Sequence, residues 1–174
     1  IQFQPDRLLH NWRKVGDQSN EYPRFEAMAA RFGEELAKLE RYVATLGPQS
    51  LAINQCEVSY INHIEVGAEP IRPEHWLRGM SFEGIDIDDL NVGFREVIRS
   101  ESGQPVGRIT YEVTTGIKPD GKRIIVLNLT ARGAPDGSDI ASALRFIAKK
   151  RELIVMRFAT ITTEAAHKAW ERQT

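Results

Sequence analysis

Asn91–Arg132 reads NVGFREVIRSESGQPVGRITYEVTTGIKPDGKRIIVLNLTAR, three β-rich runs parted by two turn signals. Glu101-Ser102-Gly103-Gln104 and Lys118-Pro119-Asp120-Gly121 hold the residues tight turns need: Pro pre-sets φ, Asp bonds its own backbone and Gly accepts a positive φ. The runs around them, about 91–100, 105–117 and 122–132, are rich in Val, Ile, Thr and Tyr, and connections this short join antiparallel neighbours. The stretch predicts an antiparallel meander. The rest of the chain must supply whatever covers one of its faces.

Upstream, Gln55–Val66 alternates with a period of two, Cys56, Val58, Tyr60, Ile64 and Val66 against Gln55, Glu57, Ser59, His63 and Glu65, the pattern of a half-buried strand. Ile1–Gln4 and Leu8–Val15 read as a hairpin about Pro5-Asp6-Arg7, followed by a polar loop, Gly16–Asn20. Residues 24–46 predict one helix: Phe25, Met28, Ala29, Phe32, Leu36, Leu39, Val43 and Leu46 recur at steps of three and four, and Gly47-Pro48 stops them. Phe25, Phe32, Leu36 and Leu39 are expected to be buried. Residues 67–90 are irregular, with a helical turn expected at Glu74–Arg78. After Pro135-Asp136-Gly137, Ser138 is placed to cap a helix carrying Ile140, Leu144, Ile147, Ile154, Val155 and Phe158, and Thr162 to cap a short last helix with His167 and Trp170. The expected fold class is α+β: a single domain over 1–174, a mostly antiparallel sheet packed against long amphipathic helices, in the order β-β-α-β-β-β-β-α-α.

The 174 residues carry 23 Lys+Arg against 24 Asp+Glu, a net charge of −1, so no overall field draws the chain to nucleic acid or to an anionic membrane. The basic run Lys149-Lys150-Arg151 reads as the polar side of a helix. No apolar run approaches the roughly 18 residues of a membrane span. A single cysteine, Cys56, excludes an internal disulfide and suits a reducing compartment, so a cytoplasmic location is expected.

The sequence has no GxxxxGK[ST] loop, GxGxxG turn, HExxH, GxSxG or CxxC, and the four histidines lack metal-ligand spacing. No catalytic residue, metal ligand or cofactor is assigned. Glu83, Asp86, Asp88 and Asp89 lack the order of a calcium loop and read as a solvated segment. Strand alternation still singles out three polar groups. If Leu8 and Trp12 face inward so does His10, if Tyr60 and Ile64 do so does Asn62, and if Val92, Phe94 and Ile98 do so does Glu96. Inward polar groups must be satisfied by one another, by water or by a ligand. His10, Asn62 and Glu96 are therefore the candidate ligand-binding residues beside a structural hydrogen-bond network. Trp76, Met80 and Phe82, in the irregular stretch, are interface candidates, aromatic residues and Met being common contact material as well as ordinary loop anchors.

Several motifs in order carry a resemblance: Gln4-Pro5-Asp6-Arg7, Asn11-Trp12-Arg13, Tyr22-Pro23-Arg24-Phe25, Asn54-Gln55-Cys56-Glu57, Tyr60-Ile61-Asn62-His63 and Phe158-Ala159-Thr160-Ile161-Thr162 ahead of His167 and Trp170. Across nearly its whole length the chain resembles a sporadically distributed family of uncharacterised prokaryotic proteins. The resemblance implies a bacterial cytoplasmic protein, and a further strand and helix ahead of Ile1. It departs from the pattern at Ala148–Glu152, where Arg151 stands near an expected histidine.

These readings lead to two expectations. The first is a non-catalytic protein-interaction or accessory module with a protein partner or a second copy of itself. The second is a small-ligand-binding protein or enzyme with a pocket between sheet and helices.

Overall fold

The computed structural model describes residues 1–13, 21–48, 50–67 and 71–170. Its elements, in chain order, are β1 (Gln2–Gln4), β2 (Arg7–Leu9), α1 (Phe25–Thr45), β3 (Cys56–Glu65), α2 (Pro73–Trp76), β4 (Asn91–Arg99), β5 (Pro105–Ile117), β6 (Arg123–Gly133), α3 (Ile140–Ile161) and α4 (Glu164–Ala169). This is the α+β order expected from the sequence, with α2 as the helical turn of the irregular stretch. The chain divides into two compact units, Ile1–Asn54 with Pro135–Ala148, and Gln55–Ala134 with Lys149–Thr174.

The second unit holds a four-stranded antiparallel sheet in the order β3-β6-β5-β4. The meander forms as expected, and both of its turns use a glycine at positive φ, Gly103 at 79° and Gly121 at 84°. Along β3, Cys56, Val58, Tyr60, Asn62 and Ile64 point inward and their neighbours outward, which matches the period-two reading residue for residue. Register then carries the same parity across the sheet, because directly paired residues share a face. The inner face collects Ile109, Val113, Ile125, Leu127 and Leu129, all fully buried, together with Ile154 of α3. Each such side chain contributes roughly 1.5–3 kcal/mol on burial. The residues after α2 are stitched to the junction of α3 and α4: Arg78 N–H donates to the Ile161 carbonyl at 2.7 Å and Thr163 N–H to the Trp76 carbonyl at 3.1 Å.

In the first unit Gln4 pairs with Arg7, so Pro5 and Asp6 close a two-residue hairpin loop. The second strand stops at Leu9, short of the expected Leu8–Val15; of that range Lys14 and Val15 lie outside the described residues, as does the Gly16–Asn20 loop. Helix α1 covers the expected segment to within a residue at each end. Its stripe is shallower than expected: Leu36 is buried, Phe25, Phe32 and Leu39 are half-buried, and Leu46 is exposed beyond the helix end. Gly33 lets another helix come close, since a Cβ there would stand 3.1 Å from Leu144 Cδ1.

Both helix caps fall one residue later than expected. Asp139, not Ser138, caps α3, its carboxylate accepting from Ser142 N–H at 2.8 Å, while Ser138 offers its carbonyl to Ile53 N–H at 2.9 Å. Thr163, not Thr162, caps α4, its hydroxyl oxygen accepting from Ala166 N–H at 3.1 Å. Thr162 is fully buried, with its own hydroxyl 2.6 Å from the Phe158 carbonyl and 2.6 Å from His167 Nε2. The helical turn begins at Pro73 and ends at Trp76, ahead of the expected Glu74–Arg78, because Pro is pre-organised for a first helical position.

Candidate functional site

Alternation in β4 turns Val92, Phe94, Glu96 and Ile98 to the inner face, and register sets Phe94 opposite Tyr111, one diagonal step from Glu96. Phe94 lies flat on Tyr111, ring centres 4.4 Å apart and planes within 9°. The Tyr111 hydroxyl donates to Glu96 Oε2 at 2.7 Å. From α3, Arg157 donates through Nε to both carboxylate oxygens, at 2.9 and 3.1 Å, and through Nη2 to Oε1. One carboxylate thus gathers β4, β5 and α3.

The electrostatics follow from those contacts. The Arg157 hydrogen bonds hold the Glu96 carboxyl below its ordinary range against the opposing effect of partial burial, with Tyr111 lowering it further. Glu96 in turn raises Arg157, and burial followed by the Glu96 hydrogen bond pushes the Tyr111 phenol well up. A carboxylate so stabilised is a weak base, and a phenol so held is a donor rather than a nucleophile. The cluster can clasp and orient; it has little basicity to offer a substrate.

Asn62 faces the same side of the sheet but does not join the cluster. Its amide donates to the Leu127 carbonyl at 3.2 Å, and with Tyr60, Ile154, Val155 and Phe158 it lines a crevice of about 200 Å³. His10 belongs to the other unit. It follows the end of β2 and meets Phe32 edge-on at 6.1 Å, with Nδ1 buried and unpartnered among the described residues. Desolvation first, then the N-terminal charge and Arg31, lower its pKa, so the ring stays neutral over a wider range than a free histidine. His10 thus keeps the inward parity read from Leu8 and Trp12, all three being half-buried while Asn11 and Arg13 are exposed, and it does so within the first unit, whereas Asn62 and Glu96 belong to the second.

Trp76, Met80 and Phe82 are each half-buried against the core of the second unit. Trp76 stacks on Trp170 with centres 5.9 Å apart, and Phe158 leans on Trp170 at 5.7 Å. They anchor the irregular stretch. In the acidic segment, Asp86 stands 3.9 Å from Arg72, Asp88 3.7 Å from Arg123, and Asp89 accepts from the Thr115 hydroxyl. Among the described residues no three His, Cys, Asp or Glu side chains converge as a metal would require.

The outer face of the sheet, which carries none of the candidates read from the sequence, is the open one. Ile61, midway along the edge strand β3, is 63% exposed, and it joins Asn91, Glu112, Thr114, Val126 and Asn128 in lining a shallow trough of about 410 Å³. Toward one end, register lines up Glu57, Arg132, Arg108 and Val97 in one row, and Ser59, Thr130, Thr110 and Arg95 in the next. Three arginines far apart in the chain become neighbours; the signal was their parity within each strand, legible only with the register. Comparison with protein-family models, with curated proteins and with solved structures gives no match.

Proposed function

We propose that the protein is a non-catalytic interaction module of the bacterial cytoplasm that presents the outer face of its sheet to a protein partner. The observation carrying this reading is the contrast between the two faces. The inner face is filled except at its β4 edge, where Phe94 is 46% exposed, and the inward carboxylate there is taken up by Arg157 and Tyr111. The outer face is open, with Ile61 and Val97 exposed among polar side chains, the mixture typical of non-obligate interfaces.

The second reading, a small-ligand site between sheet and helices, has the crevice at Asn62 in its favour. At about 200 Å³ that crevice is below the usual size of ligand pockets, roughly 300–1,000 Å³. Cys56 is buried with its thiol pushed up to about 11 by desolvation, which suits packing rather than a nucleophile and so fits a non-catalytic reading. No helix among the described residues is long and apolar enough to cross a membrane.

The test is affinity purification of the parent protein and of an Ile61→Arg variant, with bound proteins and small molecules both read by mass spectrometry. A protein recovered stoichiometrically with the parent and lost with Ile61→Arg supports the reading. A stoichiometric small molecule lost with Asn62→Leu and kept with Ile61→Arg would replace it by the second.

A further inference from the structure

The outer face follows electrostatic sense almost everywhere. Glu65 is matched by Lys118 and by Lys122, the latter at 3.2 Å, and Glu112 accepts from the Asn128 amide at 2.8 Å. One corner breaks the rule. Arg108 is the direct cross-strand partner of Arg132, an arrangement of like charges that a sheet disfavours, and Arg95 stands on the diagonal from Arg108. Arg132 is drawn away toward β3: its Nε donates to Gln55 Oε1 at 2.8 Å and lies 3.8 Å from Glu57. Arg95 and Arg108 are left exposed, with no ion-pair or hydrogen-bond partner among the described residues. Thr110 pairs directly with Arg95 and stands two residues along β5 from Arg108, on the same face, and its hydroxyl is likewise without a partner among the described residues. Its neighbour Thr130 already shares a hydrogen bond with Ser59 at 2.8 Å. Gly107 keeps the strands tight at this corner, since a Cβ there would come within 2.7 Å of the Arg132 carbonyl oxygen.

We propose that Arg95 and Arg108, with the Thr110 hydroxyl beside them, form an oxyanion site that takes the phosphoryl group of a phosphate monoester. Diagonal neighbours on adjacent strands are roughly 7–8 Å apart at the backbone, a span that two long guanidinium side chains close from either side. Each guanidinium offers paired N–H donors in the fork that phosphate oxygens accept, and the hydroxyl supplies a further donor. A doubly charged anion also cancels the repulsion built into the Arg108–Arg132 register, so the arrangement that costs the empty protein favours the occupied one. Arg132 has Gln55 and Glu57 to compensate it, whereas Arg95 and Arg108 have no such partner among the described residues, and a local rule left uncompensated points to function. The inference is independent of the protein-partner reading, because it is tested with the purified protein alone.

Binding of phenyl phosphate and of inorganic phosphate is measured by NMR titration at constant ionic strength, with sodium chloride as the control. Phenyl phosphate is expected to saturate, with shifts centred on Thr110. Arg95→Gln and Arg108→Gln should each weaken binding by about tenfold or more, Thr110→Val less, and the remote Lys168→Gln not at all. Thermal melts of the variants keep loss of binding separate from loss of fold, and Arg108→Gln is expected to melt no lower than the parent. The proposal is overturned by shifts that chloride reproduces, by binding of inorganic phosphate with exclusion of the monoester, or by a loss in Lys168→Gln equal to that in the arginine variants.

Discussion

Replacing Glu96 by Gln keeps the shape of the clasp and removes its charge. In the parent the carboxylate accepts from Tyr111 and through both oxygens from Arg157. Hydrogen bonds to a charged group contribute roughly 1.5–3 kcal/mol when dry. The Glu96 and Arg157 side chains are 32% and 34% exposed, so solvent screening brings the expected loss down to about 1–2 kcal/mol. For a chain of this size that is a fall of roughly 2–8 °C in melting temperature. Arg157→Gln should cost a similar amount and the double variant less than the sum, with about 1 kcal/mol of coupling. The pH dependence fixes the sign independently. The folded pKa of Glu96 is lowered from its ordinary 4.5, so its contribution is complete above about pH 5 and is lost as pH falls through the folded value. Gln does not titrate there. In chemical denaturation followed by circular dichroism, the gap between parent and Glu96→Gln should therefore be full at pH 7 and close on acidification. Equal stability at pH 7, or a gap that widens toward low pH, would refute the argument.

Three further outcomes follow from single contacts. Thr163→Ala removes both the cap of α4 and the hydroxyl that donates to the His75 carbonyl at 2.6 Å, and should cost about 1–2 kcal/mol by denaturant midpoint, with Thr163→Ser restoring most of it. Cys56, buried and raised to about 11, should resist alkylation at pH 8 in the native protein and react at once in denaturant, as read by intact mass. Arg108→Thr relieves the charge opposition with Arg132 and should stabilise the phosphate-free protein by roughly 0.2–1 kcal/mol at low salt, a gain that shrinks in 1 M sodium chloride.

How far the sequence could be read depended on the range of the interaction concerned. The turns at Gly103 and Gly121 and the alternation of β3 are local, and each came out residue for residue. The caps slipped by one position because Ser138 and Asp139, like Thr162 and Thr163, are adjacent residues with equally suitable side chains. Only the backbone angle decides which oxygen reaches the N–H three residues on. Glu96 was legible as an inward carboxylate, but its partner stands 61 residues away on a helix, and no periodicity names it. The inward parity of Leu8, His10 and Trp12 was legible too, all three being half-buried although β2 ends at Leu9; that they belong to a different unit from Asn62 and Glu96 was not. The arginine corner needed two registers at once, 95 with 110 and 108 with 132, and those are tertiary facts.

The strand order also shapes the birth of the molecule on the ribosome. β4, β5 and β6 meet their neighbours across short turns, but β3 is made before them and pairs only with β6, the last strand of the sheet to be made. Roughly sixty residues separate Glu65 from Ile124, and at about 5–20 residues per second the finished strand waits some 3–12 s for its partner. During that wait its apolar side is bare, flanked by the charges of Glu57 and Glu65 that discourage pairing with a neighbouring nascent copy. The two carboxylates that meet basic side chains in the finished sheet stand as unpaired charges on the unfinished one, since Lys118, Lys122 and Arg132 are all made later.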